Sequence, residues 1–65
     1  MRIILNGEPR DVRATLLPDI LEELGFGGAR VATAVNEDFV AIPDRPAVSL
    51  RDGDRLEVVA PMQGG

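Results

Sequence analysis

Cysteine and histidine are both missing from the 65 residues of this chain. The first absence excludes disulfides, thiolate metal sites and cysteine nucleophiles; the second removes the usual general base and a common metal ligand. No serine–histidine, cysteine–histidine or metal-ligand set can be assembled from what remains, so the expectation is no catalytic residue and no metal site. Aromatics make up only 3% of the chain, with Phe26 and Phe39 the two large rings, against 45% hydrophobic residues overall. A core must then be built from Leu, Ile and Val, and it must be small, because a chain of this length buries about 60% of the surface its unfolded form exposes. Lysine is absent as well: all seven basic residues are arginine. Self-linked modifier chains would need lysine amines, although a GC-rich coding bias is the plainer account. Apolar runs are short, none reaching the ~20 residues that span a bilayer, and no N-terminal segment resembles a signal peptide. The expectation is a cytoplasmic protein with no membrane partner. A formal net charge of −4, from eleven acids against seven bases, disfavours nucleic acid and leaves a basic protein partner plausible.

Turns and apolar runs are what the sequence does contain. "RIIL", then Asn6-Gly7, then "EPRDVRA" reads as a hairpin with Val12 inward. Pro9 cannot donate to a ladder, which puts the return strand at a sheet edge and leaves the Ile3-Ile4-Leu5 run for the centre. In "TLLPDILEELG", Leu17, Ile20, Leu21 and Leu24 share one helical face; Pro18 suits a first turn, Gly25 a helix stop, and Glu22 and Glu23 a solvated face. This is the one helix the pattern predicts. "VATAV" and "FVAI" read as strands joined through Asn36, Glu37 and Asp38, "PDRPAVSL" as irregular, "RDGD" as a tight turn and "RLEVVA" as the last strand.

The order ββαβββ predicts an α+β fold in which a mixed five-stranded sheet, its first and last strands paired at the centre, covers one helix. That is the ubiquitin-like β-grasp arrangement. Residues 1–60 would form the domain, and 61–65, "PMQGG", a flexible C-terminal tail ending in Gly64-Gly65. Extended, five residues project roughly 17 Å. A tail without Cβ atoms can enter a narrow channel and deliver the α-carboxylate of Gly65 to another protein's active site. That carboxylate is ionised at neutral pH and resists nucleophiles, so chemistry there needs activation, for which an acyl-adenylate made from ATP is the obvious route.

The glycines of "GFGG" suit a helix stop and connector better than a phosphate cradle, because a strand and not a helix follows. The acids of "RDGD" lack the further oxygen ligands that calcium requires. An apolar patch on the sheet face turned away from the helix is expected to dock partners, with Phe39, Val59 and Met62 as its candidates; alternatively Phe39 and Val59 simply close the core.

With "VNEDFV" in the middle, "LRDGDRLEVV" before the tail and a terminal "GG", the whole chain resembles the ThiS family (ThiS/MoaD-like) of sulfur carrier proteins of thiamin biosynthesis. One departure is "NED", where a glycine commonly follows the asparagine, which opens the question of turn type. The resemblance implies that an E1-like (ThiF-like) adenylating enzyme, using ATP and magnesium that this chain does not itself bind, adenylates the Gly65 carboxylate. Sulfur from a cysteine-derived donor then converts it to a thiocarboxylate, and a ThiG-like thiazole synthase takes that sulfur. Gly65 would be the modified group, Gly64 the slender neck, and Met62 and Gln63 guides of the tail. The small subunit of molybdopterin synthase and a ubiquitin-like modifier of other proteins remain alternatives with a similar tail. A β-grasp interaction domain with incidental glycines is a third.

Overall fold

A computed structural model of the chain describes residues 1–60; the expectations for Pro61, Met62, Gln63, Gly64 and Gly65 lie outside the described residues. Strands β1 (Arg2–Leu5) and β2 (Glu8–Asp11) are followed by helix α1 (Leu17–Glu23), then β3 (Ala32–Val35), β4 (Asp38–Val40), a 3₁₀ helix (Ile42–Ala47) and β5 (Arg55–Val59). The sheet runs β2-β1-β5-β3-β4, with β1 and β5 parallel at its centre and the remaining pairs antiparallel. The expected β-grasp fold is the one formed.

Local chemistry accounts for the turns. Asn6 and Gly7 take φ of 48° and 86°, the left-handed pair that closes a two-residue hairpin. Pro9 lies opposite Ile4, whose own N–H turns the other way to the Asp54 carbonyl, so the missing proline N–H would have faced solvent. Helix α1 is too short to persist alone. Its apolar face, Leu17, Ile20 and Leu21, is buried against Ile3, Leu5, Leu56 and Val58 of the central strands. No side chain caps its start; instead the Leu17 N–H donates to the Val48 carbonyl at 2.9 Å. It stops at Gly25, φ 91°, with Phe26 N–H donating to the Leu21 carbonyl and Gly25 N–H to the Glu22 carbonyl. Those two bonds make a Schellman motif.

Three expectations need correction. The β4 strand ends at Val40, so Ala41 and Ile42 do not extend it, and the 3₁₀ helix Ile42–Ala47 runs from the end of that reading into the stretch read as irregular. Its prolines break a ladder as anticipated, yet their fixed φ of about −65° suits a 3₁₀ turn equally well. Glu23, read as part of a solvated face, is exposed but not idle. Its carboxylate accepts the backbone N–H groups of Arg13 and Ala14 at 2.9–3.0 Å and ties the helix to the incoming loop.

The question raised by "NED" resolves into a left-handed pair, Asn36 at φ 49° and Glu37 at φ 75°. Glutamate is strained there and glycine is not. Glu37→Gly is expected to stabilise the domain by about 1 kcal/mol, raising the melting temperature by roughly 5 °C, since relief of strain exceeds both the extra chain entropy of glycine and the loss of an exposed ion pair. That pair, Arg55 with Glu37 at 3.6 Å, is open to solvent on both sides. Thermal melts of the two proteins check this.

Acid weakens the fold through three carboxylates, Asp11 beside the Arg2 guanidinium and two held by backbone donors. Backbone N–H donors hold Glu23 (from Ala14, then Arg13) and Asp54 (from Arg51, helped by the Asn36 amide) below their usual range. A lowered folded pKa means the unfolded chain binds more protons. The stabilisation is therefore full above about pH 4.5 and is lost as pH falls through the depressed folded values. Between about pH 6 and pH 3, Glu23→Gln is expected to lose less of its melting temperature than the parent protein.

Candidate functional site

Alternation along the strands decides which side chains face away from the helix. Thr33, Val40 and Val58 are aligned across β3, β4 and β5 and buried, so their neighbours Ala34 with Phe39, and Ala32 with Val59, must stand on the opposite face. Phe39 and Val59 are 72% and 62% exposed and do not close the core. With Ala32, Ala41, Ile42 and Pro43 they line an open groove of about 630 Å³. Ile42, 67% exposed, completes an apolar rim of three large side chains.

Among the described residues, two arginines and no carboxylate border this groove, although the chain is net acidic. Arg30 is exposed, and among the described residues its side chain makes no ion pair. Arg45 is half-buried beneath the rim. Ala60, the last described residue, directly follows Val59 of the groove. Of the expected site residues, the structure brings Phe39 and Val59 into one groove; Met62, Gln63, Gly64 and Gly65 lie outside the described residues.

Ile42 was missed by strand parity, which would have turned it inward with Val40. Pro43 was the available signal that the strand could not run so far. What the groove chiefly offers is apolar area to bury: complete burial of a Phe, Ile or Val side chain contributes about 1.5–3 kcal/mol. Among the described residues no three His, Cys, Asp or Glu side chains gather as a metal site would require, and no helix is long and apolar enough to cross a membrane.

Comparison with known proteins follows the whole chain. The family model of the ThiS family matches residues 3–65. The sulfur carrier protein ThiS of Thermus thermophilus is 50% identical over 64 residues, covering 94% of this chain and 95% of that protein. A thiazole synthase of Paramagnetospirillum magneticum is 36% identical over 66 residues, covering 100% of this chain, which spans only 20% of that longer protein. Among solved structures, the crystal structure of the thiamine biosynthesis protein ThiS from Geobacter metallireducens superposes with a TM-score of 0.85 at 26% identity, complete in both chains. The solution structure of a thiamine biosynthesis protein from the same organism gives 0.81 at 25% identity, covering 100% of this chain and 88% of that one.

Proposed function

The chain belongs to the ThiS family, and on that premise we propose how it serves as a sulfur carrier of thiamin biosynthesis: Gly65 is the group that is charged, and the groove beside β5 docks the proteins that charge and discharge it. The carrier is not itself a catalyst. A carboxylate cannot be attacked by sulfur until one of its oxygens becomes a leaving group. An E1-like adenylating enzyme supplies that change, joining the Gly65 carboxylate to AMP with release of pyrophosphate and handling ATP and magnesium within its own site. Cysteine-derived sulfur at the sulfide level then attacks the acyl carbon, forming the C–S bond as the C–O bond to AMP breaks, and leaves a thiocarboxylate.

Thiazole synthase is the acceptor. Supporting this partnership, a segment of a protein named thiazole synthase is similar to the entire chain. The full-length match to a sulfur carrier of thiamin biosynthesis, at 94% and 95% coverage, carries the reading and favours it over the molybdopterin synthase subunit and the protein modifier. The reaction runs in the cytoplasm, where ATP is at hand.

Phe39, Val59 and Ile42 contribute affinity, while Met62 and Gln63 guide the slender Gly64-Gly65 end inward. The test is pyrophosphate release from ATP by the adenylating enzyme of the same organism. Release that depends on adding the full-length chain is expected. Release at the same rate without it would overturn the proposal.

A further inference from the structure

Arg45 belongs to none of the roles assigned so far, and its surroundings are unusual for a cation. No carboxylate pairs with it among the described residues. Instead its guanidinium is spent on two neutral acceptors at the start of β3: Nη2 donates to the carbonyl of Val31, the residue before the strand, at 2.5 Å and Nε to the Thr33 hydroxyl at 3.1 Å. Thr33 is 1% exposed, and its hydroxyl donates onward to the Val40 carbonyl at 2.9 Å. One fork thus links the 3₁₀ helix, β3 and the end of β4. Among the described residues, these are the only hydrogen bonds that join the 3₁₀ helix to the sheet.

What the fork holds in place is informative. The 3₁₀ helix rests against α1 but contributes no buried residue to the core, so filling the apolar interior does not by itself depend on it. The groove does require it, because Ile42 and Pro43 form its wall and Val31, Val40 and Arg45 lie along its lining. We infer that Arg45 is a positioning residue for docking: it fixes the Ile42 and Pro43 wall against β3, so that the groove is already formed for an apolar side chain of the adenylating enzyme. This rests on reading the groove as the docking face. A wall fixed before contact need not be ordered during it, and preorganisation of this kind strengthens binding without adding a contact. Arginine suits this role, since its rigid planar fork presents Nε and Nη2 to both acceptors in a fixed geometry, while a lysine ammonium is a point charge on a flexible stem.

The test is steady-state adenylation of the full-length chain at saturating ATP, at a temperature where circular dichroism shows each variant folded. Arg45→Met keeps the aliphatic stem and loses both donors. It is expected to raise the KM for the carrier about tenfold with kcat unchanged, since the reacting end is untouched, and Arg45→Lys to raise it about threefold. A purely structural role would lower the melting temperature and leave KM alone under these conditions. If Arg45→Met does not fold, Thr33→Val, which removes one acceptor at nearly constant volume, is expected to raise KM in the same sense. Phe39→Ser separates the two layers of the argument. A raised KM for Phe39→Ser with an unchanged KM for folded Arg45→Met, or for Thr33→Val in its place, overturns the inference and leaves the docking face standing. An unchanged KM for Phe39→Ser overturns the docking face, and the inference with it.

Discussion

Gly64→Val is expected to slow adenylation of Gly65 by about 100-fold, the loss that follows when a reacting group is held roughly 1 Å from its productive position. The argument is steric. A carrier that hands its terminal acyl carbon to enclosed active sites needs a neck that side chains do not widen, and valine adds a branched Cβ one residue from the reacting carbon. Glycine has no side chain to contribute to an apolar core, so the same substitution is expected to leave the thermal midpoint unchanged. Comparing kcat/KM for pyrophosphate release with the melting temperature separates the two effects. A Gly64→Val protein adenylated at the parent rate would show that the slender end is not needed.

The second large effect falls on stability. Asn6→Ala is expected to cost about 3 kcal/mol and lower the melting temperature by roughly 15 °C. Asn6 closes the first hairpin, but its side chain also does the work of a missing stretch of strand. Its amide donates to the Val58 carbonyl at 3.1 Å and accepts the Val58 N–H at 2.9 Å, while its own backbone N–H donates to the Leu56 carbonyl at 2.9 Å. The central parallel pair thereby continues past Leu5, where β1 ends. Alanine would strand both polar groups of Val58 and sit badly at a φ of 48°. Asn6→Gly relieves the second problem and not the first, so about 2 kcal/mol of the loss is expected to remain. Denaturant melts of the three proteins decide it; an alanine variant within about 0.5 kcal/mol of the parent would contradict this account of the amide.

Asn6 also illustrates how much of the molecule is legible in its sequence. The turn it makes with Gly7 is a local event, and local chemistry predicts it, together with the edge position of Pro9, the Gly25 helix stop and the inward face of α1. Its partner Val58 is 52 residues away, and no periodicity carries that information. The same limit hides the Glu23 carboxylate bound to Arg13 and Ala14 and the Arg45 fork on Val31 and Thr33. Each is a side chain bonded to a backbone group outside its own element.

The groove was half legible for a related reason. Parity along a strand is a strict rule while the strand lasts, and it puts Phe39 and Val59 on the outer face. It gives a false answer for Ile42, because β4 ends two residues earlier and the chain turns into the 3₁₀ helix. Glu37 shows the converse. Its neighbour Asn36 adopts the left-handed conformation readily, and the chain carries glutamate through the next left-handed position without the usual glycine.

The most direct measurement is the intact mass of the full-length protein purified from its own cells, with tandem fragmentation to locate any change. One oxygen replaced by sulfur, confined to the carboxyl of Gly65, is the result expected of a sulfur carrier. An unmodified Gly65 that stays unmodified after incubation with ATP, magnesium, the adenylating enzyme and a cysteine-derived sulfur donor would contradict it.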